Sequence, residues 1–264
     1  MTYAEYENID AVNWSTLKYA RESMLHYRHA VDNPREDSTG LALGRAAHTL
    51  IFQPELFSAE YAIFDGDRRG TKAWKEFEEA NAGKTLLKRS EVDDQLELAK
   101  AVRANPVAVE HLNLDMALIE RPIVWTDAAT GLKCKGRPDA VHSMIVDAKG
   151  VSTIEDRFVR NQATRLGFIH QLAFYRRGYR TLTGMTLPCA LLPVEISSPH
   201  DVGVFIVDDA SLCVADDEIS VLLGKVAECR KTGVWPGRYQ KPQTLVMPDW
   251  ARAVDYDGFD LEAA

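Results

Sequence analysis

The 264-residue chain is expected to be a mixed α/β protein: a central mixed sheet flanked by helices, with a helical segment ahead of it. Three observations carry this expectation. Residues 1–116 show apolar side chains at helical spacing, interrupted by Pro and Gly. At Ala117 the pattern changes to short runs rich in Ile and Val, separated by turn residues. Beyond residue 150, a helix-length segment, two strand-length segments and another helix follow in turn, an order that places helices around one sheet.

The elements follow from the N-terminus. A helix to His29, with Asn13 or Ser15 as its cap, would carry Leu17, Ala20, Met24 and Tyr27 on one face. Pro34 and Gly40 make 32–40 a loop, and a second helix over 41–52 ends before Pro54. The charged stretch 65–70 is expected to be exposed. Helices over 72–81 and 90–104 follow, the second broken by Asn105-Pro106. Strands are expected over 119–125, 132–142 and 144–149, with a turn at 127–131. A long helix over 165–182 stops before Gly184. Strands over 187–196 and 203–207 and a helix over 211–231 complete the pattern. The reading is one domain: a mainly helical part (1–116), a sheet-containing core (117–250) and an acidic tail (251–264).

Bulk properties narrow the class. Hydrophobic residues make up 46% and charged residues 27%, as in ordinary globular chains, and no apolar run approaches the ~20 residues that span a bilayer. The first ten residues are polar and acidic, unlike a secretory signal, and the four cysteines (Cys134, Cys189, Cys213, Cys229) form no C-x-x-C pair. Reduced thiols and a cytoplasmic location are the expectation. A net charge of −8 argues against a surface coated by nucleic acid but leaves a local basic patch open.

The chemistry-bearing segment is Gly136-Arg137-Pro138-Asp139 followed by Met144-Ile145-Val146-Asp147-Ala148-Lys149. If the two strands form a hairpin turning around Ser143, Asp139 falls opposite Asp147 and Lys149 projects from the same face as Asp147. Facing carboxylates repel unless a cation lies between them. Magnesium accepts one or two carboxylates and phosphate oxygen, so such a site suits phosphodiester hydrolysis. An adjacent ammonium would orient the attacking water or neutralise developing charge. The bland alternative is a surface hairpin with solvated charges, against which stands the apolar run leading into Asp147.

At these residues the chain resembles the PD-(D/E)XK nuclease superfamily, with Pro138-Asp139 and Asp147-Ala148-Lys149 as the motif. Three segments resemble a narrower group, the RecE-like (exodeoxyribonuclease VIII type) phage and prophage exonucleases. They are Gly44-Arg45-Ala46-Ala47-His48, the run from Gly131 to Asp139, and Gln171-Leu172-Ala173-Phe174-Tyr175, and the likeness extends from Trp14 to Trp250. The resemblance implies a restriction-endonuclease-like core. It implies Asp139, Asp147 and the Ala148 carbonyl as magnesium ligands, with manganese as a substitute, and Lys149 as the catalytic lysine. His48 would be a helix-borne ligand, Gln171 and Tyr175 a catalytic pair sharing a helix face, and Glu120 a further acid near the metal. It also implies linear double-stranded DNA ends as substrate, degraded 5′ to 3′ to expose single strands, a single-strand annealing recombinase as partner, and a ring-shaped homo-oligomer. The tight C-terminal cysteine group of related iron–sulfur nucleases is not in the sequence, so no cluster is expected. The alternatives are a structure-specific endonuclease and a non-catalytic DNA-binding module of the same fold; the intact acidic and lysine set favours an enzyme.

Overall fold

A computed structural model describes residues 3–34, 38–112 and 116–248. The expected acidic tail at 251–264 lies outside the described residues. Up to residue 112 the elements are α1 (Tyr3–Glu7), α2 (Trp14–Leu17), α3 (Met24–Asp32), α4 (Thr39–Phe52), α5 (Phe57–Glu60), β1 (Tyr61–Phe64), α6 (Lys72–Ala80), β2 (Thr85–Lys88), α7 (Arg89–Ala104) and α8 (Pro106–Leu112). The second part comprises β3 (Leu118–Ile119), β4 (Ile123–Thr126), β5 (Lys133–Gly136), β6 (Ala140–Val141), β7 (Ile145–Val151), α9 (Asp156–Leu166), α10 (Phe168–Thr183), β8 (Cys189–Glu195), β9 (Phe205–Val207) and α11 (Asp209–Thr232).

The mixed sheet has the order β3-β6-β7-β8-β9, with β7 and β8 parallel and the other pairs antiparallel. β8 is buried over six of its seven residues, as a strand covered on both faces must be. Alternation along β7 divides the core. Ile145 packs with Val159 and Ala163 of α9, Phe174 of α10 and Leu223 of α11. Val146 and Ala148 pack on the other face with Ala47 and Leu50 of α4 and Val102 of α7. The sheet is therefore the middle of three layers. A third apolar cluster joins Ala42 and Ala46 of α4 to Tyr61, Leu87 and Val92, beside the parallel pair β1–β2.

Several expected elements are divided. The helix expected from 13 or 15 to 29 is broken at Ser23, whose extended backbone and side chain cap α3 by accepting from the His26 N–H. Asn13 caps α2 in the same way. The helix expected over 165–182 is two helices, because Gly167 adopts φ 76° and ends α9 before α10 begins. Short β1, β2, α5 and α8 and the whole of α9 escaped the periodicity reading; pieces of four to eleven residues hold too few repeats of an apolar stripe to announce themselves.

The strands expected over 119–125 and 132–142 are likewise interrupted, at the same level. β4 pairs with β5 and β3 with β6 in one continuous register: Ile123 faces Gly136 and Ile119 faces Ala140. Between these pairs the ladder opens. Pro122 and Pro138 lack the N–H a ladder needs. Glu120 lies in the left-handed region at φ 44° and gives its N–H to the Asp139 carbonyl at 2.9 Å. This opening places Glu120, Arg137 and Asp139 together.

Candidate metal centre

β6 pairs with only two residues of β7, Ala140 facing Val146 and Val141 facing Ile145. Carried one pair further, that register sets Asp139 opposite Asp147, as expected from the hairpin. Beyond Val146, β7 runs on alone on this side while β8 continues to cover its other edge as far as Val151. The Ala148 N–H therefore faces no strand. It donates instead to Asp139 Oδ2 at 2.6 Å. A carboxylate is thus fixed at the open edge of the central strand by a charge-assisted backbone hydrogen bond.

His48 reaches the same carboxylate from the helix layer. Ala47, Leu50 and Ile51 bury one side of α4 against the sheet, and His48 on the adjoining side brings Nδ1 to 3.3 Å from Asp139 Oδ1. Glu120 completes a triad: one ligand atom each from His48, Glu120 and Asp139 lie within 4.8 Å of one another. Arg137 Nη1 stands 3.5 Å from Glu120 Oε2. Asp147 is not one of the three. Its side chain is 1% exposed, and Lys149 Nζ stands 2.5 Å from its Oδ2 as a charge partner. That Oδ2 is fully buried, and Lys149 is its charge partner there.

The electrostatics follow from crowding charge into a dry place. Burial pushes the Asp147 carboxyl up to about 6, with the Asp139 charge adding to the rise and Lys149 opposing it. Burial would also raise Asp139, but the charge and hydrogen bond of His48, with Lys149 and the Ala148 N–H, hold it below the usual range. Burial opposes a charged His48, yet Asp139 outweighs it and lifts the imidazole above its ordinary value. Lys149 is raised against its own burial by Asp147 and Asp139. Glu120 is raised by burial despite Arg137.

Two more expected residues border this group. Gln171 donates from Nε2 to Tyr175 Oη at 2.7 Å across one turn of α10. Burial, then the charges of Asp147 and Asp139, raise the Tyr175 hydroxyl well above its ordinary value, so it stays a proton donor. The ring lies so close to β5 that a Cβ at Gly136 would meet Tyr175 Cδ1 at 2.8 Å; only glycine lets the ring in. Lys149 Nζ also lies 5.5 Å from the centre of the Phe168 ring at the start of α10. The sequence reading missed Arg137 as the partner of Glu120 and Phe168 as a neighbour of Lys149. Pro122 and Pro138, one in each of the facing segments, were the available signal for the first.

The donor set fits a hard divalent cation. His48, Glu120 and Asp139 offer carboxylate oxygens and one imidazole nitrogen within reach of one another, and no thiolate. Like-charged carboxylates held together in a buried place are stabilised by such an ion and repel without it.

Central mixed sheet, flanking helices and an Asp-x-Lys strand beside a second acid define the PD-(D/E)XK nuclease class. Residues 14–245 match the PDDEXK-like domain of unknown function (DUF3799), and the chain belongs to that family. Its fold is similar to that of a protein from Eubacterium rectale whose crystal structure is described as that of a "Putative exonuclease". The TM-score is 0.66 and the identity 15%, over 97% of this chain and 98% of that one. No curated protein was found to match the chain. Among the described residues, no helix is long and apolar enough to cross a membrane.

Proposed function

We propose that this protein is a magnesium-dependent exodeoxyribonuclease that shortens linear double-stranded DNA, 5′ to 3′, exposing single strands for recombination. The observation that carries the reading is the Asp139 carboxylate, held between the Ala148 N–H and His48 at the open edge of β7, beside the buried Asp147–Lys149 pair. A solvated surface hairpin has no cause to bury two carboxylates beside a half-buried lysine and imidazole within one another's reach.

Asp139, Asp147, His48 and the Ala148 carbonyl would hold the metal, with Glu120 as a further ligand. When bound, a divalent ion polarises the phosphate and lowers the pKa of a nearby water. Lys149, kept ionised by Asp147, would place a positive charge where the attacking water and the phosphorus meet. Gln171 occupies the Tyr175 oxygen, which leaves the phenolic proton to be donated to a non-bridging phosphate oxygen. The resemblance of three ordered segments to RecE-like exonucleases supports end dependence and polarity. It also supports manganese as a substitute, a recombinase partner, a ring assembly, a cytoplasmic setting and one nuclease domain without an iron–sulfur cluster.

The test is incubation of the purified protein with linear and covalently closed duplexes of one sequence, with and without magnesium. Linear DNA should disappear only with the metal while circles persist. Rapid linearisation of circles would move the reading to an endonuclease, and binding without cleavage to a DNA-binding module.

A further inference from the structure

α9 has no role in the metal centre, and its outer face has a composition that calls for an explanation. Val159 and Ala163 bury the inner face, while Arg157, Arg160, Asn161, Thr164 and Arg165 are exposed. Arg160 is paired with Asp156 at 2.7 Å. Arg157 and Arg165 have no ion-pair partner among the described residues, in a protein whose net charge is −8. Three arginines against Glu155 at the cap and Asp156 in the first turn leave α9 net positive in an acidic chain, with the two unpaired guanidinium groups on its outer face.

The position of the helix gives that reversal a meaning. Ile145, Asp147 and Lys149 alternate along β7, so they project from one face of the sheet. Val159 and Ala163 share one apolar cluster with Ile145, and α9 packs beside α10, which lies on β7, so α9 belongs to the helix layer on that face. At its C-terminal end Gly167 turns the chain directly into Phe168, whose ring lies beneath Lys149 Nζ. The Arg165 end of the helix therefore adjoins the metal centre through Phe168. Eight residues separate the two arginines, about 12 Å along the axis, a length on the scale of a few phosphates of a DNA strand, whose rise is about 3.4 Å per nucleotide along the duplex axis.

We infer that the outer face of α9 is a phosphate rail. Arg157 and Arg165 engage the backbone of the DNA leading to the metal centre, with the Asn161 amide as a hydrogen-bond donor between them. The inference rests on the nuclease reading above and adds where the DNA lies. Contacts of this kind hold register without reading sequence, as processive removal of nucleotides of any sequence requires.

The test compares the wild type, Arg157→Gln/Arg165→Gln and a charge-matched control, Arg180→Gln/Lys231→Gln. The control residues are exposed, lack ion-pair partners among the described residues, and lie on other helices away from the α9–α10 junction. Binding of a 5′-labelled linear duplex is followed by fluorescence anisotropy in calcium across a salt series, with cleavage in magnesium measured separately. Loss of two phosphate contacts should lower the slope of log K against log salt by about 1.8 and weaken binding roughly 10- to 60-fold at 0.1 M salt. KM should rise with it, kcat at saturating DNA should stay within about twofold, and the control should behave as wild type. A rail variant whose slope equals that of the wild type, or a control that loses as much as the rail variant, overturns the inference while leaving the nuclease reading intact. A wild type that neither binds nor cleaves DNA overturns both.

Discussion

Two buried charge clusters in this molecule are built on opposite terms. On α10, Arg177 is enclosed by acids and hydroxyls. Nη1 donates to Asp127 Oδ2 at 3.1 Å, Nε to Asp216 Oδ1 at 2.6 Å, and Nη2 to the Asp216 carbonyl and Ser220 Oγ. Asp127 Oδ1 is occupied in turn by the Thr130 N–H and hydroxyl. At the metal centre, the buried Asp147 carboxylate is met by Lys149 alone among the described residues, Glu120 sits in a left-handed backbone conformation, and burial lifts both carboxyls. The first cluster is complete and ties the β4–β5 turn, α10 and α11 together. The second is incomplete within the chain, and that incompleteness is the physical mark of a place made for a ligand.

The comparison breaks first on activity. Asp139→Ala, Asp147→Ala or Lys149→Ala should lower DNA hydrolysis by roughly 10²- to 10³-fold, the scale of removing one preorganised group from a reacting centre. Lys149→Ala should still bind DNA nearly as well as wild type in anisotropy measurements. Arg177→Met should not touch the chemical step. Hydrolysis by an Asp139→Ala or Asp147→Ala protein at the wild-type rate would remove the ligand assignment.

Stability should respond with opposite sign. Arg177→Met strands Asp127 and Asp216 and should cost about 3–5 kcal/mol in denaturant unfolding, as breaking one side of a buried ion pair does. Asp147→Asn should instead stabilise the metal-free protein at pH 8. The folded carboxyl titrates at about 6, above the ordinary value of 3.8. The folded state therefore binds more protons than the unfolded chain between those values, and this group's contribution to stability falls as pH rises through 6. A shift of that size corresponds to a gain of about 2–3 kcal/mol on neutralising the side chain. The advantage of the Asn variant should shrink as pH is lowered from 8 to 5. An advantage that does not change with pH would assign it to packing.

The mildest effect is that of the metal itself. Magnesium well above its Kd should raise the Tm of the wild type, by about 1–3 kcal/mol of stabilisation between 10 and 100 times Kd. Asp139→Asn should lose that increment and His48→Ala should keep only part of it, with a larger loss in magnesium than in manganese, which binds nitrogen better. Calcium should bind but support little turnover. An equal increment in the Asp139→Asn protein would place the ion elsewhere.

Much of this was legible in the sequence where periodicity and pairing are local. The turn around Ser143 and the apolar run before Asp147 determined the β6–β7 register, because a slip of one residue would have turned every side chain of β7 to the other face. The four-residue spacing of Gln171 and Tyr175 determined that they meet on one helix face. The nearness of His48 to Asp139 was reached through the resemblance of its segment, since no local rule links a helix near residue 48 to a strand ninety residues on.

What only the tertiary structure decided is how the chain fails to pair with itself. Prolines, Glu120 and the short β6 leave β7 open on one edge, so that the Ala148 N–H turns to a carboxylate rather than a strand. The choice of Asp147 as partner of Lys149, and of His48 and Glu120 as neighbours of Asp139, depends on which groups share a desolvated volume. Sequence spacing determines which side chains share a face of one element. Burial and charge are properties of the space between elements, and they exist only once the layers have packed.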